Sequence, residues 1–284
     1  MSSMSSMKKL VFLPIFLFTF TLFSQGAWTK SKNEAYVQLS YYNIAGYTNI
    51  YGSPDYRTER EITDNTVQLF GEYGLSEKTT LVLSLPIKMI ESGNVVFDGV
   101  TPITAEGSKT ALGNLTFGVK HQLYNKKWVV SGQFNIEANT GTFYPELGLR
   151  SGYDTWTLVP KLNIGRGFGR FFIQGTTGVD IRFNGYSSNF KFGAEVGAKP
   201  LKPLWLIAFL DISTSFENGD VLLPDSNLLT GLYVNDQEYT AYGIKAIVEI
   251  TQKFGALANY TSAISGNNVP KRAVYGAGLY YKLQ

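Results

Sequence analysis

The sequence predicts an all-β chain in which about twelve antiparallel up-and-down strands close into one transmembrane β-barrel. Three observations predict this fold. Segments of roughly 8 to 13 residues alternate between apolar and polar side chains, which is the period of a strand with two unlike faces. A tilted strand needs about 9–11 residues to cross a bilayer, whereas soluble strands have about 5–6. The connections between the segments also alternate between short and long.

The clearest of these segments form a hairpin at residues 170–199. On one side of the chain, the alternate positions from Phe171 to Ile181 are apolar apart from Gly175 and Thr177, and those from Phe190 to Ala198 are all apolar. The NGYSSN turn separates the two runs. The intervening positions are mostly polar, charged or glycine. One wall of this hairpin is therefore predicted to face lipid and the other to face the barrel interior.

The remaining strands are predicted from the same alternation. In chain order the twelve segments are 34–42, 66–73, 80–88, 112–124, 128–137, 155–164, 170–182, 190–199, 204–216, 239–250, 255–262 and 273–283. Short turns are expected near residues 76, 126, 167, 201 and 252. Long loops are expected near 52, 100, 146 and 227, with modest connections near 186 and 267. This sorting puts all short turns and both termini on one side, as in outer-membrane barrels.

Pro160 does not suit the middle of its predicted strand. Proline lacks a backbone N–H and removes one ladder hydrogen bond, so a bulge or a shifted strand start is expected there.

Aromatic residues near the strand ends suggest two interfacial girdles. Trp128 and Tyr281 fall at the short-turn ends of their strands, and Trp156 and Tyr242 fall near the opposite ends. All four are predicted to point outward, where amphipathic rings favour the level of the lipid headgroups.

The N-terminal residues 1–25 are predicted to be a cleaved signal peptide, followed by a single barrel domain at residues 26–284. Lys8 and Lys9 precede an apolar stretch at residues 10–23, and Ser24-Gln25-Gly26 offers cleavage after Ser24 or Gly26. A permanent N-terminal anchor is the alternative.

The chain has no cysteine, which excludes a disulfide framework and a lipoprotein anchor. The net charge of +3 is too small to indicate a nucleic-acid partner.

A soluble secreted β-sandwich or lipocalin-like barrel would also alternate, with its apolar face in the core. Period alone does not separate the two folds. The strand lengths, the regular order and the sorting of short and long connections favour the membrane barrel.

Four segments resemble outer-membrane β-barrels of Gram-negative bacteria. They are YGLSEK at residues 73–78, GNLTFGVK at 113–120, AWTK at 27–30, and the final strand ending at Leu283. The first is similar to a common strand-turn step of such barrels, and the second to the MetA-pathway phenol-degradation and transporter-like family. The third is similar to Bacteroidetes barrels. The last is similar to the C-terminal assembly signal of such barrels, from which this chain differs by ending in Leu283-Gln284. This resemblance implies an outer-membrane location, contact with lipid and lipopolysaccharide, and recognition by the barrel-insertion machinery.

An enzyme is not predicted. The only histidine is His121, and the position two residues later, where outer-membrane phospholipases have their serine, is Leu123. An interfacial histidine is the favoured interpretation. With one histidine and no cysteine, neither a metal site nor a cofactor is expected.

The polar wall supplies the candidate functional residues, because strand parity assigns a set of charged side chains to the lumen. These lumen-lining candidates are Glu72, Lys88, Lys120, Glu137, Lys161, Asp180, Arg182, Lys191, Glu195, Lys199, Asp211, Lys245 and Glu249. Two interpretations remain open and compatible: the charges pair and fill the interior, or they line a path for solutes. Neither sign dominates, so strong ion selectivity is not expected.

Two loop features are further candidates. The loop at residues 217–237 is rich in leucine, so it either folds into the barrel mouth as a plug or apolar docking site, or packs on a neighbouring loop. Lys271 and Arg272, beside the last strand, are positioned to meet lipopolysaccharide phosphates.

The sequence thus predicts a porin-like or transporter-like barrel that passes or binds small solutes. A structural or adhesive surface barrel without transport is the first alternative, and a lipid-modifying enzyme is the second.

Overall fold

The computed structural model describes residues 26–99 and 101–283, so the predicted signal peptide lies outside the described residues. These residues form twelve barrel strands, of which the fourth is interrupted. The strands are β1 Ala35–Tyr51, β2 Tyr56–Ser76, β3 Thr79–Val95, β4 Gly107–Leu112 with Thr116–Asn125, β5 Val129–Glu137, β6 Thr157–Phe168, β7 Phe171–Arg182, β8 Asn189–Leu201, β9 Leu204–Ser215, β10 Glu238–Glu249, β11 Phe254–Asn267 and β12 Val274–Leu283.

The strands pair antiparallel in chain order, and β1 closes the barrel by pairing with both β2 and β12. Tyr41, for example, lies opposite Val67 on one side and Ala277 on the other. Closure leaves no open sheet edge, so the backbone donors and acceptors can be satisfied within hydrocarbon. The predicted twelve-stranded antiparallel barrel is confirmed.

The first hairpin is much longer than the sequence predicted. β1 extends to Tyr51 and β2 begins at Tyr56, so only residues 52–55 connect them. The expected long polar loop near residue 52 is therefore wrong. Residues 43–51 and 56–65 lack clean alternation because register shifts between β1 and β2 change which side chains face inward.

Pro160 lies within β6 and does not produce the expected bulge. Lys161 pairs with Gly178 and Leu158 pairs with Ile181 in one unchanged register, and the pairs between them are missing. The ladder between β6 and β7 is thus interrupted without a slip. β6 begins at Thr157, two residues after the predicted start.

The outer wall is apolar and the predicted girdle residues lie on it. Trp156, Tyr242 and Tyr281 are exposed at the protein surface. Trp128, just before β5, is half-buried, with the Arg166 guanidinium 5.5 Å from its ring centre. Their role as interfacial girdles remains a prediction.

Two long loops rise from the end of the barrel opposite the termini, which we name the long-loop end. Residues 138–156 contain a small hairpin formed by Phe143–Tyr144 and Leu149–Arg150. Residues 216–237 contain one helical turn, Asp225–Leu228. In the described part of the chain, no helix has the length and apolar character needed to cross a membrane. The other end of the barrel, which carries the tight turns, is the short-turn end.

Candidate functional site in the barrel lumen

A cavity of about 610 Å³ lies inside the barrel, and we name it the chamber. Its wall combines amide, hydroxyl and charged side chains from eleven of the twelve strands. The polar residues that line it are Tyr42, Gln68, Glu72, Ser84, Thr116, Gln133, Asn135, Glu137, Lys161, Asn163, Gln174, Thr176, Asp180, Lys191, Glu195, Asp211, Tyr239, Lys245, Asn259 and Thr261.

Eight of the thirteen charged residues assigned to the lumen from strand parity line the chamber. These are Glu72, Glu137, Lys161, Asp180, Lys191, Glu195, Asp211 and Lys245. The other five form ion pairs inside the barrel, away from the chamber wall or at its edges: Lys88 with Asp64, Lys120 with Glu72, Arg182 with Asp180, and Lys199 with Glu249. Their part in solute passage remains a proposal.

Most of the interior charge is compensated by opposite charge. Asp180 lies 3.3 Å from the Arg182 guanidinium and 3.5 Å from the Lys191 ammonium. Glu195 and Lys245 are also 3.5 Å apart. Because a buried charge is stable only when it is paired or solvated, these contacts hold the polar wall together while leaving it hydrogen-bonding capacity.

The short-turn end of the lumen is filled by aromatic and aliphatic side chains that point inward, a group that we name the short-turn plug. Phe172 and Trp205 pack edge-to-face with ring centres 5.7 Å apart, and Tyr36 stacks on Tyr280 at 5.4 Å. All four are at most 4% exposed. The remaining members of the plug are Phe70, Val82, Ile207, Ile247 and Leu257.

The chain that precedes β1 completes this plug. Trp28 packs edge-to-face on Phe172, with ring centres 6.2 Å apart. The Lys30 backbone N–H donates to Thr80 Oγ1 at 2.7 Å, and the Lys120 ammonium donates to the Gly26 carbonyl at 3.1 Å. We name residues 26–34 the N-terminal segment. These contacts fasten it across the short-turn end of the barrel.

A buried carboxylate joins the N-terminal segment to the barrel wall. Glu72 lies 2.7 Å from the Lys120 ammonium and 3.6 Å from the Lys30 ammonium. Burial lowers the pKa of Lys30, and the nearby Glu72 carboxylate opposes that shift. The one negative charge therefore holds two lysines, one from the wall and one from the segment.

Two glycines make room for this docking. A Cβ atom on Gly165 would lie 2.7 Å from the Trp28 ring, and one on Gly74 would lie 1.8 Å from the Ser31 carbonyl oxygen. A side chain at either position would force the N-terminal segment to shift from its place. The barrel wall is thus shaped to receive the N-terminal segment.

The long-loop end is closed differently, by loop residues that pack on the inner wall. Leu147, Leu149 and Leu232 are buried in one cluster with strand residues. The strand residues in this cluster are Tyr47, Ile50, Ile62 and Ile90. We name the two contributing loops, residues 138–156 and 216–237, the lid.

Polar contacts tie the two lid loops together and to the barrel. The Tyr47 hydroxyl donates to the Thr230 carbonyl at 2.7 Å, and Thr230 Oγ1 donates to the Gly148 carbonyl at 3.1 Å. Arg150 Nε donates to Asn227 Oδ1 at 3.0 Å. The loop at residues 217–237 therefore packs on its neighbouring loop and also covers the barrel mouth, so both sequence interpretations describe part of it.

The other candidates lie outside the lumen. His121 is exposed on the outer wall, where its Nδ1 and Thr79 Oγ1 are 2.9 Å apart, and Leu123 is exposed beside it.

The Lys271 ammonium donates to the Asp55 carboxylate, which raises the pKa of Lys271. Lipopolysaccharide contact by Lys271 and Arg272 remains a prediction. Within the described residues, no three His, Cys, Asp or Glu side chains group as a metal site.

Sequence reasoning missed the short-turn plug. Its aromatic residues occupy the inward parity of their strands, close to the tight turns, where the alternation otherwise calls for polar side chains. Phe172 and Trp205, each placed directly after a turn, carried that signal. An aromatic residue on the polar face of a barrel strand indicates that the interior is filled at that level.

The closed antiparallel barrel, with its apolar outer wall and its charged chamber, defines an outer-membrane type of β-barrel. The structure is similar to the COG4313 outer membrane channel from Pseudomonas putida F1, with a TM-score of 0.66 and 14% identity over 90% of this chain and 97% of that one. It is also similar to the translocator domain of autotransporter NalP from Neisseria meningitidis, with a TM-score of 0.55, 11% identity and 89% of each chain covered. The NanC porin matches with a TM-score of 0.52 and 8% identity over 88% of this chain and all of that one.

At these identities the likeness establishes the fold. No protein-family model matches the chain, and no curated protein does. The resemblance to the MetA-pathway family and to Bacteroidetes barrels remains a prediction.

Proposed function

We propose that the protein is an outer-membrane channel that admits small polar solutes to an internal chamber. The observation that carries this function is the chamber itself, a space of about 610 Å³ lined by amide, hydroxyl and charged groups. Small-molecule sites have volumes of about 300–1,000 Å³, so the chamber suits a small solute. The fold shared with the COG4313 channel and the NanC porin supports this function.

The proposal includes export by a cleaved signal peptide at residues 1–25, insertion by the barrel-assembly machinery and contact with lipid and lipopolysaccharide. The apolar outer wall and the aromatic residues Trp128, Trp156, Tyr242 and Tyr281 support the membrane placement. The function proposed is not enzymatic. The placement of His121 on the outer wall beside exposed Leu123 supports a non-enzymatic function.

A barrel without transport is the second candidate, because both ends of the lumen are filled in the structure. The short-turn plug and the lid leave the chamber between two apolar clusters. Passage of a solute therefore requires that the N-terminal segment and the lid move.

Uptake into liposomes that carry the refolded protein tests the proposal. A size series of sugars and one small aromatic compound are supplied outside, and circular dichroism verifies the folded barrel. Uptake of the small sugars above the protein-free rate is expected. Uptake of the aromatic compound alone would contradict a polar path. Uptake of neither compound would establish the barrel without transport.

A further inference from the structure

The chamber wall is divided into a charged half and an uncharged half. Strands β5 to β10 supply seven charged side chains: Glu137, Lys161, Asp180, Lys191, Glu195, Asp211 and Lys245. Strands β11 and β1 to β4 supply hydroxyl and amide groups: Asn259, Thr261, Tyr42, Gln68, Ser84 and Thr116. Glu72 is the exception, and the Lys30 and Lys120 ammonium groups already engage it.

Most charges of the charged half already have partners. Asp180 is held by Arg182 and Lys191, and Glu195 is held by Lys245. Asp211 accepts a hydrogen bond from the Tyr239 hydroxyl at 3.1 Å. Because contacts within the wall already occupy these charged groups, they are poor candidates for recognising a solute by its charge.

Glu137 and Lys161 differ from the rest. Among the described residues, no oppositely charged side chain lies within 4.0 Å of either, and neither side chain forms a hydrogen bond. Both groups nevertheless line the chamber. A charge in a confined polar cavity needs water or a ligand to solvate it, so these two are available to a solute.

The register of the barrel sets the spacing between the two charges. Glu137 on β5 pairs with Thr157 on β6, and Lys161 on β6 pairs with Gln133 on β5. They are thus offset by four residues on neighbouring strands, which is about 13 Å along the strands and, with about 4.8 Å between the strands, about 14 Å between Cα atoms. The Lys161 stem lies over Gly178, where a Cβ atom would come within 2.9 Å of its Cγ. This offset places the two charged groups at different levels of the same chamber, more than 4.0 Å apart.

We propose that the chamber binds small zwitterions, molecules that carry both an ammonium group and a carboxylate, with the ammonium at Glu137 and the carboxylate at Lys161. Charge-assisted hydrogen bonds of this kind are stronger than neutral ones and would favour such solutes over uncharged ones of equal size. The amide and hydroxyl groups of the uncharged half then meet the rest of the molecule. This inference rests on the proposed channel function and names its solute class.

Comparative uptake of serine, a zwitterion, and erythritol, an uncharged polyol of similar size, tests the site in liposomes carrying the full chain. The Glu137→Gln and Lys161→Gln variants are each expected to lower the serine-to-erythritol ratio about fivefold or more. Glu77→Gln is the control, because Glu77 is exposed in the turn between β2 and β3, outside the chamber, and the change removes one negative charge just as Glu137→Gln does. It is expected to leave the ratio unchanged. The exchanged double variant, Glu137→Lys with Lys161→Glu, restores both charges and is expected to recover the ratio.

The outcomes separate the site from the channel. If both solutes enter and the two single variants keep the ratio of the unaltered chain, the zwitterion site is wrong and the channel stands. If neither solute enters through the folded barrel, the proposed function fails. A second measurement needs no variant: serine is expected to block single-channel ion current with saturation, and erythritol is not. Equal, non-saturating effects of the two solutes would overturn the site.

Discussion

The two ends of the barrel are both closed, but by different physical means. At the short-turn end, side chains of the strands themselves meet in the lumen, and a buried carboxylate, Glu72, fastens the N-terminal segment through Lys30 and Lys120. At the long-loop end, two loops fold over the opening and are held by apolar packing and by hydrogen bonds from backbone, hydroxyl and amide groups and from the Arg150 guanidinium.

This difference indicates how each end of the proposed channel would open. The lid consists of loops, which can open locally with little loss of barrel structure. At the short-turn end, the strand-borne rings are fixed to the barrel, so only the N-terminal segment can leave. Its departure exposes Trp28 and separates Lys30 from Glu72. The short-turn end is therefore expected to control passage, and the lid to control access.

The largest expected effect comes from Glu72→Gln, which leaves two buried lysines without their shared carboxylate. Removal of one partner of a buried ion pair costs about 3–5 kcal/mol. The free energy of unfolding in detergent, from urea titration followed by circular dichroism, is expected to fall by that amount. Asp55→Asn is the control, since its pair with Lys271 has side chains 46% and 43% exposed. Exposed pairs contribute little to stability, and equal losses in the two variants would contradict the assigned role of Glu72.

A second variant separates the N-terminal segment from barrel stability. Gly165→Val places a side chain where the Trp28 ring lies, while Gly167→Val adds a side chain with no atom within 4 Å of its Cβ. Gly165→Val is expected to raise single-channel conductance several-fold because the segment can no longer dock. The Gly167 variant is expected to conduct like the unaltered chain. Identical conductance in both variants would show that the segment does not limit passage.

A substitution in the lid is expected to have a smaller effect than these two variants. Asn227 is fully buried; it accepts from Arg150 Nε and donates to the Leu232 carbonyl at 2.9 Å. Asn227→Ala leaves these partners unsatisfied, which costs about 1–3 kcal/mol. Hydrogen exchange is expected to quicken in residues 216–237 and to stay unchanged in the N-terminal segment. Leu222→Ala is the control, because Leu222 is 96% exposed. Unchanged exchange in the lid of the Asn227 variant would contradict this anchoring.

The smallest expected effect is a pH dependence of the docking of the N-terminal segment. Burial lowers the pKa of docked Lys30 below its ordinary value of 10.5, so the docked segment binds fewer protons than the free one. Docking therefore strengthens as pH rises from the lowered pKa towards 10.5, and it is weaker below that window. The open fraction of single channels is expected to fall over this range. Lys30→Met removes the titrating group, and an equal pH response in that variant would assign the effect elsewhere.

The barrel itself was predictable from the sequence because one physical rule repeats along the chain. A wall between lipid and a polar interior imposes an alternation of period two, and that alternation recovered twelve strands and the inward parity of residues such as Asp180 and Lys191. The rule gave a wrong prediction where side chains do not alternate regularly between the two faces of the strand. In residues 43–51 and 56–65 the register shifts remove the alternation, so a long hairpin was mistaken for a loop.

The sequence by itself determined the strand number, the up-and-down order and the assignment of charges to the interior, because these depend on local periodicity. Only the tertiary structure decided which charges pair, that the lumen is closed at both ends, and that Glu137 and Lys161 remain available. Those properties depend on contacts between residues far apart in the chain, such as Gly26 with Lys120 and Tyr47 with Thr230. No local pattern encodes such contacts, because they exist only once the barrel has closed and brought its strands to a common axis.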